Sequence, residues 1–328
     1  MPQRTGRLAW APGGTVIAPA GHRIRRRENA TGYLFAAPWL LGFFALTLGP
    51  MALSLLFSLI HWDGISLDTV RWAGVGNYVR AAKDPDVAIA LWNTAYYSFA
   101  SVPLSLAAAL GLAMLLNQKL RGISIFRTIF YMPSVIGGVA TIMMWLWVFN
   151  PDYGLLNGAL RQGCNLLAAL GIPGAAHWEL PKWLMSANWA MPALILMNLW
   201  GAGASMLIFL AALQNVPDSL YEAADLDGAG RWRKFLHITV PQISPAIFFN
   251  LVMGIIGSFQ VFTQAFLMTN GGPNKATLFY VLYLYDKAFQ DFEIGYASAL
   301  AWILFAIIMF FTLLVLRSGK LWVYYEGE

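Results

Sequence analysis

The chain has 328 residues, 59% of them hydrophobic and 11% charged, with a formal net charge of +5. A soluble domain carries roughly 25% charged residues, so the composition excludes an ordinary water-soluble domain and makes lipid the main solvent. The single cysteine, Cys164, excludes an intrachain disulfide and reads as a small space-filling residue.

Residues 1–33 form an arm rich in Pro, Gly and Arg, with the run RIRRR from Arg23 to Arg27. It reads as a disordered cytoplasmic tail that pins orientation and touches anionic headgroups. Six charge-free apolar runs follow, 34–60, 88–116, 129–149, 190–213, 243–268 and 294–316. Each can cross a hydrocarbon core, which takes about 20 helical residues. Backbone in lipid must satisfy its own hydrogen bonds, and barrel strands would be near 10 residues with alternating polarity. The runs therefore predict an all-α integral membrane protein with six transmembrane helices over 34–316 and a short tail at 317–328. The first run is too long for a signal-peptide core and reads as a retained span.

An even number of spans puts both termini on one side, together with segments 117–128 and 214–242. That side holds 14 Lys and Arg against 7 on the other, so the positive-inside rule makes it cytoplasmic. Adding the acids gives +7 inside and −2 outside. The basic balance is a topology signal, and without a clustered basic soluble domain no nucleic-acid partner is expected. On the outer side Leu155, Leu156, Leu160, Leu166 and Leu167 recur at roughly helical spacing, predicting a helix along the interface that braces the bundle or faces a docking partner.

Catalytic patterns are missing. There is no G-x-x-x-x-G-K-[ST], hence no phosphate-cradling loop, and the chain is not expected to hydrolyse ATP. His22, His61, His177 and His237 stand in separate segments without partners at metal-ligand spacing, so no metal or bound cofactor is expected. No carboxylate pair occupies a span, whereas ion-coupled carriers often place an ionisable group at mid-depth. Energy should arrive from another subunit.

Between the fourth and fifth runs stands LYEAADLDGAGRWRKFLHITVP, Leu220 to Pro241. Pro217 suits the first turn of a helix, Asp218 and Glu222 its positive end, and Gly228 or Gly230 its stop. A second short helix can run through RWRKFLHI and must yield before Pro241. Residues 217–241 thus predict helix, tight turn, helix. Ala223 and Ala224 permit close approach of another protein, and Glu222, Asp225, Asp227, Arg231 and Arg233 can fix its register; an ordinary solvated loop would carry the same charges.

Polar residues also collect on one side of two spans. At 100° per residue, Asn250, Gly254, Gly257, Ser258, Gln260 and Gln264 fall within about 160° of arc on the fifth run, opposite Leu251, Ile255, Phe259, Phe262 and Phe266, with Val261 intruding. On the fourth, Asn198, Gly201 and Ser205 share a face. Such faces line a polar pathway or mediate close helix packing, and Trp200 beside them either stacks on a ligand ring or packs.

EAADLDGAG followed by FLHITVP closely resembles the EAA loop of permease subunits in ATP-binding-cassette importers. Counting from Glu222, the second glycine of the pattern is Gly230 and the closing element is Ile238 to Pro241, with Val240 where Leu is usual. In that family the loop forms coupling helices seated in a cleft of the ATPase subunit. The resemblance implies this role for Tyr221, Glu222, Ala223, Ala224, Asp227, Gly228, Ala229, Gly230 and Pro241. MTNGGPNKATLFYVLYLYDKAF, from Met268, and the later IGYASAL resemble the carbohydrate branch, the maltose-type, lactose-type and glycerol-phosphate-type permeases. The likeness covers nearly the whole chain after residue 30, although the large outer domain of some maltose-type members is absent.

The resemblance implies a permease in the cytoplasmic membrane of a bacterium or archaeon that imports a sugar, a di- or oligosaccharide, by alternating access. Its implied partners are two ABC ATPase subunits that use ATP and Mg, an extracytoplasmic solute-binding protein, and a second, homologous but non-identical permease. Motif position implies Asn198, Gly201, Ser258 and Gln260 on the substrate pathway. The alternative readings are a glycerol-phosphate or polyol importer and a free-standing secondary carrier.

Overall fold

Helix α4 (Pro85–Leu116) is the mast of the fold, and its ends explain its length. Asp84 caps the start, its side chain accepting from the Asp86 N–H at 3.0 Å, and Pro85 supplies a preset φ at the first position. At the far end Arg127 donates from Nε and a terminal nitrogen to the Leu116 carbonyl, at 3.3 and 2.9 Å, satisfying one orphan acceptor. The computed structural model describes residues 21–118, 120–172 and 178–324, with the side chains of 21–31 and Leu67 outside that description. Residues 1–20 of the arm, Lys119, His177 and the last four residues of the tail therefore lie outside the described residues.

The chain divides into two bodies, 1–56 and 57–328. In the first, α1 (Gly21–Phe43) leads through a π-helical turn (Phe44–Leu48) into α2 (Gly49–Ser58). The arm is thus not tail-like as far as residue 33: it is helical from Gly21, a stretch with no proline and several good helix formers. Leu34, Phe35 and Leu46 are more than 70% exposed, as befits a helix apolar on all sides whose solvent is lipid.

The second body opens with a two-residue antiparallel pair, β1 (Ile60–His61) and β2 (Arg71–Trp72), with Ile60 opposite Trp72. It continues through α3 (Gly76–Lys83), α4, α5 (Ile123–Val135), α6 (Gly138–Val148) and α7 (Leu155–Ala169). Next come α8 (Ala187–Trp200), α9 (Gly203–Gln214), α10 (Asp218–Leu226), α11 (Arg231–Lys234), α12 (Val240–Gln242) and α13 (Ser244–Phe259). The chain ends with α14 (Thr263–Met268), α15 (Tyr280–Tyr285) and α16 (Ile294–Trp322). Helix α4 packs against α8, α9, α13 and α15. One core lies beside its first half, around Tyr97, Phe279, Tyr280, Tyr296 and Leu300. A second lies beside its last turns, where Ala109, Ala113 and Leu116 meet Met206, Phe209, Leu213 and Ile243.

Among the described residues, three helical stretches alone are long and apolar enough to cross a membrane: Gly32–Ser58, Pro85–Leu116 and Ile294–Trp322. Three bent pairs pass the same test jointly. These are α5 with α6 (100°), α8 with α9 (47°), and Arg231–Gln242 with α13 (68°). The apolar runs at 129–149, 190–213 and 243–268 are therefore not single helices. The first breaks where Pro133 withholds a donor and Gly137 and Gly138 follow; the second breaks at Gly201. The third stops at Phe259 and resumes at Thr263.

The leucine-spaced segment is helical, as α7, and its leucines divide: Leu155 and Leu166 are 58% and 66% exposed, whereas Leu156 packs on the core of Ile142, Trp145 and Phe149. Asn157 anchors it too, fully buried, donating to the Pro151 and Pro181 carbonyls at 2.9 and 3.0 Å and accepting from Trp183 Nε1 at 2.8 Å.

Candidate functional site

A cavity of about 430 Å³ opens between α4, the α8–α9 pair and the α13–α14 pair. Helix α4 contributes Tyr97, Ser101 and Ser105; the α8–α9 break contributes Asn198, Gly201 and Ser205. From α13 come Asn250, Gly254, Gly257 and Ser258, and from α14 comes Gln264. No charged side chain lines it. Asn198 donates to Ser105 Oγ at 2.9 Å, and the Tyr97 hydroxyl reaches Gln264 Oε1 at 3.5 Å. Ser101 is fully buried, and its hydroxyl has no partner among the described residues. Hydroxyls and amides set among apolar walls can exchange hydrogen bonds with a neutral polyhydroxylated ligand without a charge to desolvate.

Three of the four pathway residues inferred from the sequence, Asn198, Gly201 and Ser258, meet in this cavity; Gln260 does not. The 100° projection requires an unbroken helix, and α13 ends at Phe259, which turns Gln260 out to an exposed position. Gln264 returns to the cavity only because α14 restarts beyond the break. The apolar face behaves as projected, with Ile255, Phe259, Phe262 and Phe266 in the core beside α4. Trp200 points elsewhere: it meets Trp145 edge-on at 6.0 Å and lines a separate apolar cavity of about 340 Å³. Tyr97, Ser101 and Ser105 escaped the sequence reading, although their four-residue spacing is a one-faced hydroxyl stripe.

The charged segment folds as two limbs joined by a turn. Pro217 sits just outside α10, in extended conformation with ψ of 129°, rather than in its first turn. Gly228 is the stop, at φ +72°. Ala229 N–H reaches the Ala224 carbonyl at 2.9 Å and Gly228 N–H the Asp225 carbonyl at 3.1 Å, the paired bonds of a Schellman cap. Gly230 instead stands before α11, in extended conformation. The second limb does not yield before Pro241. A π-helical turn (Phe235–Thr239) passes the Val240 N–H to the Phe235 carbonyl, and this wider turn lets a helical chain continue through a residue that has no donor. Glu222, Ala223 and Asp227 are exposed, and Leu226 and Trp232 stand 91% and 77% bare on either side of the turn. Asp225 pairs with Lys234 at 2.6 Å, and the Tyr221 hydroxyl meets Thr239 Oγ1 at 2.9 Å.

At the opposite end of α4, one carboxylate gathers three segments. Asp84 Oδ2 accepts from the Tyr283 hydroxyl at 2.5 Å and the Tyr296 hydroxyl at 2.7 Å. Burial alone would raise the Asp84 pKa, but the two phenols and the Asp86 N–H hold it below the ordinary carboxylate range. Burial and that carboxylate push the Tyr283 phenol upward, keeping it a donor. Around them Asn93 donates to the Lys275 and Leu278 carbonyls, and Lys275 pairs with Asp86 at 2.5 Å. The TNGGP stretch turns beneath this end through Asn270 and Gly271, at φ +45° and +81°. Thr277 Oγ1 donates to the Gly272 carbonyl at 2.6 Å.

Comparison with known proteins places this arrangement. Residues 101–321 match the family model described as binding-protein-dependent transport system inner membrane component. The probable ABC transporter permease protein YesP of Bacillus subtilis (strain 168) is 40% identical over 310 residues, covering 93% of this chain and 96% of the relative. The lactose transport system permease protein LacF of Rhizobium radiobacter is 33% identical over 302 residues, 90% of this chain and 96% of its own. A crystal structure of a bacterial alginate ABC transporter, in complex with an alginate pentasaccharide-bound periplasmic protein, contains a chain that superposes with a TM-score of 0.74. It is 22% identical, with 91% of this chain and 97% of that one covered, a likeness of fold. On these matches the chain belongs to the family of binding-protein-dependent transport system inner membrane components.

Proposed function

We propose that this chain is the membrane-spanning permease of an ATP-driven importer and that its cargo is a neutral di- or oligosaccharide. The observation that carries the reading is the charge-free cavity of about 430 Å³, within the ~300–1,000 Å³ of small-molecule sites and lined by hydroxyls, amides and glycines from three helical segments. A phosphorylated cargo would call for a basic side chain there. Sugar import also fits the lactose permease among its relatives.

In this reading each bent pair makes one span, giving six, with both termini and the elbow at 217–241 on the cytoplasmic, Lys- and Arg-rich side. Tyr221 to Gly230 and Pro241 form the coupling elbow. Its bare Leu226 and Trp232 supply apolar surface for a cleft in an ATPase subunit, while Glu222 and Asp227 fix register. Two such subunits hydrolyse ATP, a second and non-identical permease completes the pathway, and a binding protein delivers the sugar on the side of Asp84 and TNGGP. Asn198, Gly201 and Ser258 contact the cargo, joined by Tyr97 and Ser101; Gln260, exposed beyond the end of α13, stands outside this cavity. The membrane is the cytoplasmic membrane of a bacterium or archaeon.

The test is uptake of labelled neutral oligosaccharides by proteoliposomes holding the whole complex. Uptake is expected to require ATP and both the ATPase and the binding protein. Uptake that survives without the ATPase and collapses with an ion gradient would assign the chain to a secondary carrier instead.

A further inference from the structure

We infer that the hydrogen bond between Tyr221 and Thr239 is a latch that makes the two limbs of the elbow one rigid lever, with Thr239 its positioning residue. This rests on the coupling role proposed above and adds how the elbow passes a push to the cavity.

The backbone link between the limbs is the turn Asp227–Gly230, which contains Gly228 in the left-handed region and cannot by itself fix an angle. Two side-chain bonds cross between the limbs. In the Lys234–Asp225 pair the Lys234 side chain is 20% exposed but the Asp225 side chain 61%, and an ion pair open to water on its acidic side contributes little. The other bond is sheltered. Thr239 is 7% exposed, and Tyr221 and Ile238 pack together against the core formed by Ala113, Leu116, Leu213 and Ile243. A hydrogen bond in such surroundings competes less with water than one on the open surface.

Two features of the second limb aim the hydroxyl. A threonine inside an α-helix tends to return its Oγ to a carbonyl four residues back; Thr239 bonds Tyr221 instead, 18 residues away. It is also the last residue of the π-helical turn that absorbs Pro241, and such turns recur at functional sites in helices. The continuity of the chain gives the latch its reach. Limb α10 continues from α9, which lines the cavity with Ser205, and limb α11–α12 leads into α13, which lines it with Asn250 and Ser258. A push on the tip therefore reaches both walls together while the latch holds, and splays the limbs when it does not.

The experiment uses the complete transporter in proteoliposomes, with sugar uptake and ATP hydrolysis measured in the same vesicles. Thr239→Val, isosteric but without the hydroxyl, is expected to lower sugar moved per ATP about fivefold, the equilibrium value of one neutral hydrogen bond near 1 kcal/mol. Tyr221→Phe should do the same, the double variant should be no worse than either, and Thr239→Ser should retain the wild-type ratio. An unchanged ratio in Thr239→Val, or additive losses in the double variant, overturns the latch; if Thr239→Val does not assemble, Tyr221→Phe decides. Glu222→Lys, on the exposed face of α10, separates the two claims. If it transports normally the coupling reading itself fails, whereas if it abolishes uptake while Thr239→Val leaves the ratio intact, only the latch fails.

Discussion

Replacing Asp84 by Ala removes three acceptor contacts at once, those to the Tyr283 and Tyr296 hydroxyls and to the Asp86 N–H. Tyr283 and Tyr296 are 6% and 2% exposed, so both phenols lose a sheltered acceptor. An unpaired buried donor costs about 1–3 kcal/mol, and loss of a helix N-cap about 1 kcal/mol. Because Asp84 itself is only half-buried and neighbours relax, the expected total is roughly 3–5 kcal/mol. Thermal unfolding of the purified protein in detergent should show this as a clear drop in melting temperature, with Tyr283→Phe/Asp84→Ala falling no further than Asp84→Ala alone. The pH dependence has a definite sign. The folded pKa of Asp84 lies below its ordinary value, so its stabilisation is present above the unfolded pKa of about 3.9 and is lost as pH falls through the folded value. The gap between wild type and Asp84→Asn should be constant from about pH 7 to 5 and narrow below about pH 4. An alanine variant that melts with wild type, or a gap indifferent to acid, refutes the reasoning.

Asn198→Leu deletes the amide bonded to Ser105 and fills the cavity with alkyl; it should weaken sugar uptake about tenfold at subsaturating cargo, the cost of one or two hydrogen bonds, read as a raised half-saturation in proteoliposomes. Gly203 lies so close to α5 that a Cβ would overlap the Phe130 carbonyl oxygen and stand 3.0 Å from the Tyr131 Cα; Gly203→Val should therefore cost about 1–3 kcal/mol or more of overpacking, measured as lost thermal stability. Glu222→Lys and Gly228→Pro should each abolish uptake while the protein still inserts, as judged by membrane-fraction yield; Gly228→Pro cannot adopt the positive φ that ends α10.

Much of this was legible in the sequence because lipid imposes long apolar runs and positive φ favours glycine. A helix stopping at Gly228 or Gly230, the helical 155–169 and the polar stripe from Asn250 to Ser258 all follow from such local rules, and the structure chooses Gly228. Asn157 was invisible, since its partners Pro181 and Trp183 are more than 20 residues away and no spacing announces them. The Asp84 hub is hidden for the same reason: its two phenols come from positions 283 and 296. Gln260 misled because a helical projection assumes the very continuity that the chain abandons there.

The breaks that defeat the projection have a physical address. A helix interrupted in hydrocarbon leaves backbone donors and acceptors that lipid cannot satisfy, so interruptions persist only where protein or a wet cavity can take them. The break between α8 and α9 puts Gly201 and Ala202 in the cavity wall, and the break after α13 puts Val261 there. Short bonds from Gly201 N–H to the Asn198 carbonyl and from Gln260 N–H to the Gly257 carbonyl, both 3.1 Å, tie off part of each end. Unbroken helices would have been cheaper to bury. Two of the interruptions among the described helices border the same uncharged cavity, so the freed backbone groups lie where a ligand that carries its own hydrogen bonds could meet them.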